Sequence, residues 1–297
     1  MKLAVPEGFV LPPLDGVAGC TAAAPTERIE HTVYWDTDDL AIARWGGCLR
    51  YRDTGVWTVK LRSGDERSGV NAEIMRRVEV DFSGEPSAPP EAALDVVSAF
   101  VRSGALMPVG SMSTRRTMVA LHDSAGGAVA EVVNDAVTVM TGPNEGARFS
   151  EVEIELTGGE DEGVILAVAA HLREHGAGSA ETMSKQRRVL GSFGPPVLDL
   201  IEGLPIPMGI YGLVSIDPLV RINADEATAR DLAATAAWLR DRFADEPEGV
   251  LDTASASVLA TLAVGGTPAK MLAIMRSNPY RALLSALLGT PPPPTLP

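Results

Sequence analysis

The stretch LRYRDTGVWTVKLRS, residues 49–63, has the alternating pattern of a β-hairpin, with Asp-Thr-Gly as its turn. The apolar face of this hairpin consists of Leu49, Tyr51, Trp57, Val59 and Leu61. The opposite face is basic and consists of Arg50, Arg52, Lys60 and Arg62. So much positive charge on one face needs an explanation, because the formal net charge of the chain is −14.

A second stretch, FSEVEIEL at residues 149–156, carries the opposite charge on one face, formed by Glu151, Glu153 and Glu155. A strand with one charged and one apolar face is also expected in an ordinary antiparallel sheet whose charged face meets solvent. Like charges opposite one another on such a sheet are destabilising, however. A closed barrel whose charged faces point inward would line a polar lumen and would pack its apolar faces against outer helices.

Charges inside such a lumen need partners, because an unpaired buried charge costs several kcal/mol. Basic side chains suit a polyanion, and a row of carboxylates suits a hard divalent cation such as Mg²⁺. The charged strand faces therefore predict a site for a polyphosphate and its metal ion.

The period of two between Thr32 and Leu156 predicts strands near residues 30–35, 48–53, 56–62, 75–82, 113–122, 128–133, 136–140 and 149–157. Helical spacing predicts a short helix within residues 36–47 and longer helices over 90–103 and 160–175. Many antiparallel strands with few helices favour an α+β fold, with an antiparallel closed β-barrel and flanking helices.

Beyond about residue 192 the composition changes. Pro and Gly crowd the segment GSFGPPVLDLIEGLPIPMG, which predicts a linker over residues 193–223. Residues 224–290 are rich in Ala and Leu at helical spacing, which predicts a small helical bundle of unknown role. We therefore expect a barrel domain over residues 1–192 followed by a smaller helical domain.

Composition limits the partners. A pI near 4.7 argues against nucleic-acid binding and against adhesion to acidic membranes. Two cysteines, Cys20 and Cys48, do not form a disulfide framework, which favours a reduced compartment. No signal peptide and no membrane-spanning apolar run are visible. We expect a cytoplasmic protein with no membrane and no nucleic-acid partner.

Eight segments occur in an order that points to a known family: YWDT (34–37), LRYR (49–52), WTVKL (57–61), RRVEVDF (76–82), STRRTMV (113–119), EVVND (131–135), FSEVEIEL (149–156) and SKQRR (184–188). This layout resembles the CYTH family of triphosphate tunnel enzymes, which includes class IV adenylate cyclases, thiamine triphosphatases and inorganic triphosphatases. The resemblance covers about residues 1–192.

The opening Glu-x-Glu-x-Lys motif of that family is incomplete here. Lys2 stands where the lysine of the motif would fall, and both glutamates would precede Met1. We expect that the natural chain starts several residues earlier. The resemblance implies that the two missing glutamates are metal ligands, so the activity of this chain would be impaired.

The resemblance also assigns site residues. It implies that the triphosphate oxygens are bound by Lys2, Arg50, Arg52, Lys60, Arg77, Arg115 or Arg116, and Lys185. It implies that Mg²⁺ or Mn²⁺ is bound by Glu79, Asp135, Glu151 and Glu153. The catalytic residues would be Lys60, Arg52 and Glu153. The metal ion and the cationic side chains would neutralise the charge on the transferred phosphoryl group, and a water molecule held by a carboxylate would attack it in line. The alternating pattern does not decide between Arg115 and Arg116.

Two functions from different classes fit these residues. The first is metal-dependent hydrolysis of inorganic triphosphate or a related triphosphate compound, thiamine triphosphate included. The second is a module that binds polyphosphate without turnover. Adenylate cyclase activity is less well supported, because nothing in the sequence indicates adenine recognition. The helical C-terminal region is compatible with a homodimer.

Overall fold

The computed structural model describes residues 1–62, 77–102, 104–158, 161–191, 206–244 and 251–288. The strands of the described residues are β1 Lys2–Val5, β2 Thr21–Ala22, β3 Thr26–Asp36, β4 Cys48–Arg52, β5 Val56–Arg62, β6 Arg77–Ser83, β7 Met107–His122, β8 Ala128–Thr141 and β9 Arg148–Leu156. All their pairings are antiparallel, and they form one nine-stranded sheet in a mixed α+β fold.

The strand order is β1-β9-β8-β7-β3-β4-β5-β6, and β2 pairs with β7 beside this path. Within the described residues no hydrogen bonds join the edge strands β1 and β6, so the closed barrel predicted from the sequence is not confirmed. The sheet is nevertheless strongly curled, because Lys60 near one edge and Glu153 near the other line the same cavity. Alternation fixes which face a side chain occupies, whereas closure depends on how the two edges meet.

The hairpin of β4 and β5 forms as predicted. Tyr51 lies opposite Trp57 and Leu49 lies opposite Val59, around a turn that contains Gly55 at φ 85°. Leu49, Trp57 and Val59 are fully buried. The apolar face of the hairpin therefore packs away from solvent, and Arg50 and Arg52 occupy the other face.

The strand β8 differs from its prediction. Two strands, over 128–133 and 136–140, were predicted on the basis of the turn-forming pair Asn134 and Asp135, but β8 runs unbroken through both residues. Each has a partner that holds the extended backbone. The Asn134 side chain donates to the carbonyl oxygen of Phe9, and Asp135 accepts two hydrogen bonds from Arg116. Tertiary contacts override the local turn preference here.

The helices of the described residues are α1 Ala41–Arg44, α2 Glu91–Val101, α3 Glu162–Glu174, α4 Lys185–Leu190, α5 Pro207–Asn223, α6 Glu226–Phe243, α7 Thr253–Val264, α8 Pro268–Met275 and α9 Asn278–Leu287. The first three agree with the predicted helices, although α1 is shorter. α6 to α9 agree with the predicted helical region.

The predicted linker over residues 193–223 is wrong in its second part, because residues 207–223 form α5. Pro207 is the first residue of this helix, a position where proline is tolerated. Ile210, Leu213 and Val214 are fully buried, so packing stabilises a segment whose Pro and Gly content suggested a linker. Residues 192–205 lie outside the described part of the chain.

Three apolar clusters hold these elements together. The largest joins the outer face of β4 and β5 to α2 and onward to the C-terminal helices. A second lies between α3 and the outer faces of β7, β8 and β9. A third lies inside the curl of the sheet, where Val189 and Leu190 of α4 pack against Tyr34, Met112 and Val137. α4 therefore fills the interior of the sheet on one side and leaves the charged part of the inner face open.

Among the residues described, none of the helices is both long enough and apolar enough to pass through a lipid bilayer.

Candidate functional site

A cavity of about 540 Å³ lies on the charged inner face of the curled sheet. Cationic side chains from four strands and α4 line it: Lys2, Arg50, Arg52, Lys60, Arg116 and Lys185. Carboxylates from three strands and α3 line it as well: Glu79, Glu131, Glu153, Glu155 and Glu162. The structure therefore brings most of the predicted site residues together in one place.

Three predicted residues with described side chains do not line this cavity. Arg115 is exposed on the other face of β7. Asp135 and Glu151 are fully buried behind the lining, where both contact the ammonium group of Lys185. The side chain of Arg77 lies outside the described residues, so its predicted role stays a prediction.

Arg116 rather than Arg115 points into the site. Its Nε and Nη2 donate to the two carboxylate oxygens of Asp135 at 2.8 and 2.7 Å, and its Nη1 lies 3.6 Å from Glu30 Oε1. Such a bidentate pair fixes both the position and the plane of the guanidinium group. Burial alone would lower the pKa of Arg116, but Asp135 and Glu30 raise it well above its usual value.

Lys185, like Arg116, contacts three carboxylates. Its Nζ lies 2.9 Å from Asp135 Oδ2, 2.5 Å from Glu151 Oε1 and 2.9 Å from Glu153 Oε1. Lys185 is the first residue of α4, which begins where Ser184 accepts a hydrogen bond from the backbone N–H of Arg187. Burial alone would lower the pKa of Lys185, but the carboxylates of Glu153, Glu151 and Asp135 raise it far above its usual value.

Arg50 and Arg52 contrast with these paired cations. Neither guanidinium group has an ion pair within the described part of the chain. Arg50 is only 7% exposed, and its Nε has no hydrogen-bond partner there. A buried donor without an acceptor is costly, and its usual explanation is a ligand or water that supplies the acceptor. The basic face of the hairpin therefore has at least one buried donor, Arg50 Nε, that an anion could satisfy.

Lys60 lines the same cavity as Arg50 and Arg52. It forms an ion pair with Glu79, its cross-strand neighbour in the register of β5 and β6. Burial and the nearby guanidinium of Arg50 lower the pKa of Lys60, and Glu79 offsets only part of this effect. An anion bound between Arg50 and Lys60 would relieve their repulsion.

The carboxylates Glu153 and Glu155, two residues apart on β9, have opposite pKa shifts. Burial would raise the pKa of Glu153, but Lys185, Lys60 and Arg116 lower it well below its usual range. Glu155 is an exposed residue, but partial loss of hydration at the cavity, together with the charges of Glu153 and Glu79, raises its pKa. A cation bound beside Glu155 would favour its ionised form.

We expect Glu155→Gln to raise the Tm at pH 8. The pKa of Glu155 in the folded state lies above its unfolded value of 4.5, so ionised Glu155 destabilises the fold at pH values above the folded pKa. This penalty disappears as the pH falls through the folded pKa, because the folded protein then keeps the proton. Thermal unfolding followed by circular dichroism from about pH 8 to about pH 4, which lies below the unfolded value of 4.5, should show a gain that shrinks towards low pH. The exposed Glu145→Gln variant is the control, and a lower Tm for Glu155→Gln at pH 8 would contradict the expectation.

Two residues that the site assignment missed are important for its geometry. Glu30, which is 3% exposed, contacts both Arg28 and Arg116 from β3. Its position two residues before Thr32 and four before Tyr34 places it on the same inner face, so alternation along β3 could have identified it. Glu155 shares its face with Glu151 and Glu153, and the same signal applies to it.

The lining can supply oxygen ligands for a metal ion through Glu79, Glu131, Glu153 and Glu155. No group of three or more His, Cys, Asp or Glu residues in the described ranges is arranged as a preformed metal site. Mg²⁺ commonly binds through one or two carboxylates and substrate phosphates while it keeps several waters. The donor chemistry therefore fits a hard cation that arrives with a polyphosphate.

Comparisons with known proteins add relatives but assign no family. No protein-family model matches the chain. The uncharacterized proteins MT2285 and Rv2226, from two strains of Mycobacterium tuberculosis, are each 33% identical over 215 residues. The alignment covers 65% of this chain and 40% of each relative, so the chain spans about two-fifths of their length.

Two solved structures are also similar. A proposed adenylate cyclase from Bacillus halodurans has a TM-score of 0.37 at 18% identity, covering 55% of this chain and 82% of its own. A proposed adenylyl cyclase from Hippeastrum, described as having a dominant triphosphatase activity, has a TM-score of 0.37 at 16% identity, covering 62% and 91%. TM-scores this low carry no argument, so membership of the CYTH family stays a prediction.

Proposed function

We propose that this protein catalyses metal-dependent hydrolysis of inorganic triphosphate or a related triphosphate compound. The observation that carries the proposal is Arg50, a buried arginine that lines the cavity and has no acidic partner within the described residues. With Arg52 and Lys60 on the same face of the hairpin, it supports a site for several phosphate groups. The volume of about 540 Å³ lies in the range of small-molecule sites.

In this proposal the substrate is held mainly by charge. Arg50 and Arg52 bind phosphate oxygens with charge-assisted hydrogen bonds, while Lys60 approaches from the adjacent strand β5 and Arg116 from β7. A bound Mg²⁺ or Mn²⁺ would neutralise further negative charge on the phosphoryl group being transferred. Since phosphoryl transfer depends mostly on positioning and charge neutralisation, fixed cations on rigid strands suit it.

The carboxylates would divide the remaining tasks. Glu153 and Glu79 line the cavity and would contribute metal ligands. Because its lowered pKa keeps Glu153 ionised, it suits a cation or an orienting hydrogen bond to the attacking water. Glu155, whose pKa is raised, is better suited to accept a proton from that water.

Release of phosphate from tripolyphosphate with Mg²⁺ or Mn²⁺ tests the proposal. We expect turnover by the wild-type protein and a loss of about 100-fold or more for Glu153→Gln, which keeps the shape of the side chain but removes its charge. Glu145→Gln, on an exposed turn, is the matched control and should retain activity. Comparison of tripolyphosphate, thiamine triphosphate and ATP would identify the preferred substrate. A wild-type protein that releases no phosphate from any of them would contradict the proposal.

A second candidate function is binding of polyphosphate without turnover. It is favoured by the pairing of Asp135, Glu151 and Glu153 with three cations of the chain itself, because these carboxylates then need no metal ion. The three cations are Lys2, Arg116 and Lys185. Calorimetric binding of tripolyphosphate in the presence of Mg²⁺, without phosphate release, would favour this binding function over hydrolysis.

A further inference from the structure

The lining of the cavity contains two buried hydrogen-bond donors that meet no acceptor in the described part of the chain. One is Arg50 Nε, and the other is Nε2 of Gln186, the second residue of α4. Arg50 is 7% exposed and Gln186 is 8% exposed. A buried donor without an acceptor is costly, so two of them on one cavity indicate a ligand that brings acceptor atoms.

Both donors lie beside the apolar cluster inside the curl of the sheet. Tyr34, the cross-strand partner of Arg50, lines the cavity and belongs to this cluster. Gln186 lies on α4, which contributes its last two residues to the same cluster. Burial raises the pKa of Tyr34, and the charges of Arg50 and Lys185 offset part of this rise. β4 and the start of α4 therefore approach the same tyrosine.

Gln186 differs from its neighbour Lys185 in the state of its donor. The ammonium group of Lys185 contacts three carboxylates of the chain, whereas Gln186 Nε2 has no partner among the described residues. An amide also donates without adding positive charge. Gln186 can therefore give a hydrogen bond to a ligand without giving up a contact with the described residues.

We propose that Gln186 is a specificity-determining residue that binds, together with Arg50, the terminal phosphoryl group of a phosphate chain. A terminal phosphoryl group has more free oxygens than an internal one, which suits donors that arrive from a strand and from a helix. The apolar cluster beside them offers few polar contacts to a further phosphate group, and burial of an unpaired charge there is costly. The inference rests on the proposed binding of a phosphate chain in this cavity, but not on its hydrolysis.

Calorimetry on the full chain in EDTA, where metal-dependent turnover is absent, tests the contact. Gln186→Leu should weaken binding of tripolyphosphate by about tenfold, because one hydrogen bond to a charged oxygen is lost. Trimetaphosphate is cyclic and has no terminal phosphoryl group, so its affinity should change less than about threefold in the same variant. Unchanged tripolyphosphate binding, or an equal loss for both ligands, would overturn the proposal.

Gln186→Glu replaces the amide by a carboxylate of nearly the same shape. At pH 8 it should weaken tripolyphosphate binding by at least about 100-fold, because the carboxylate repels the anion and has no proton to donate. The difference from the wild-type protein should shrink towards low pH, where the protonated carboxyl group donates again. Thr182→Glu is the matched control, since Thr182 is exposed and does not line the cavity. A loss for Gln186→Glu no larger than that for Thr182→Glu would contradict the contact.

Thermal unfolding without ligand separates a binding role of Gln186 from a folding role. Because the Nε2 donor has no described partner, Gln186→Leu should not lower the Tm. A decrease of more than about 4 °C would show that Gln186 supports the fold and would overturn the proposal.

This inference and the proposed hydrolysis fail separately. Phosphate release by the wild-type protein, with unchanged tripolyphosphate affinity in Gln186→Leu, would overturn this inference alone. The expected losses of affinity, without phosphate release from any triphosphate, would overturn the proposed hydrolysis alone.

Discussion

Arg50→Met is expected to lower kcat/KM for tripolyphosphate hydrolysis by about 100-fold. Loss of two charge-assisted hydrogen bonds of about 1.5 kcal/mol each corresponds to about two factors of ten. Methionine keeps most of the apolar stem and the volume of arginine but removes every donor. Steady-state kinetics of phosphate release measures the effect.

Stability measurements separate a binding role from a folding role for Arg50. Because Arg50 has no ion pair in the described part of the chain, its replacement leaves no described carboxylate without a partner, and the Tm should not fall. Arg115→Met is the matched control, since Arg115 is adjacent in sequence to Arg116 but exposed on the opposite face. A change in kcat/KM of less than about threefold for Arg50→Met would contradict the assigned role.

Asp217→Ala is expected to decrease the free energy of unfolding by about 3–5 kcal/mol. Asp217 is fully buried in α5, where its carboxylate accepts from Arg221 at 2.7 Å and from the Tyr280 hydroxyl at 2.8 Å. Its removal leaves two nitrogens of the buried Arg221 guanidinium, Nε and Nη2, without their carboxylate partner. Urea unfolding followed by circular dichroism measures the loss.

Arg221 also links the C-terminal helices to the helix α2, because it donates to Asp95 at 2.6 Å. The control is Asp241→Ala, which breaks an ion pair with Arg240 whose side chains are 45% and 68% exposed. Such surface pairs contribute at most about 1 kcal/mol. A loss below about 1 kcal/mol for Asp217→Ala would contradict the account of this buried network.

The features of the fold that depend on local alternation could be predicted from the sequence. The hairpin of β4 and β5, its buried face with Trp57, and the inner positions of Arg50 and Glu153 all follow from a period of two. The same period also places Lys60 of β5 and Glu79 of β6 on the inner face, where they are cross-strand partners.

Features that depend on distant contacts could not be predicted this way. Alternation does not show whether the edges of a sheet meet, so it could not decide whether the sheet closes into a barrel. It also could not show that Asn134 and Asp135 are held in a continuous β8 by Phe9 and Arg116. The helix α5 was missed because its Pro and Gly content outweighed its apolar spacing, which packing then stabilises.

The same limit applies within the site. A strand pattern assigns Asp135, Glu151 and Glu153 to one face, but it does not identify the cation that meets them. That cation, Lys185, comes from α4 and is 32 residues away from Glu153 in the chain. Predicted metal ligands and a predicted phosphate ligand therefore turned out to contact one another.

The most direct test of the account is a crystal structure of the protein with tripolyphosphate. The account predicts phosphate groups inside the cavity, with oxygens within about 3 Å of the guanidinium groups of Arg50 and Arg52. Tripolyphosphate bound only outside the curl of the sheet, with Arg50 still lacking an acceptor, would contradict it.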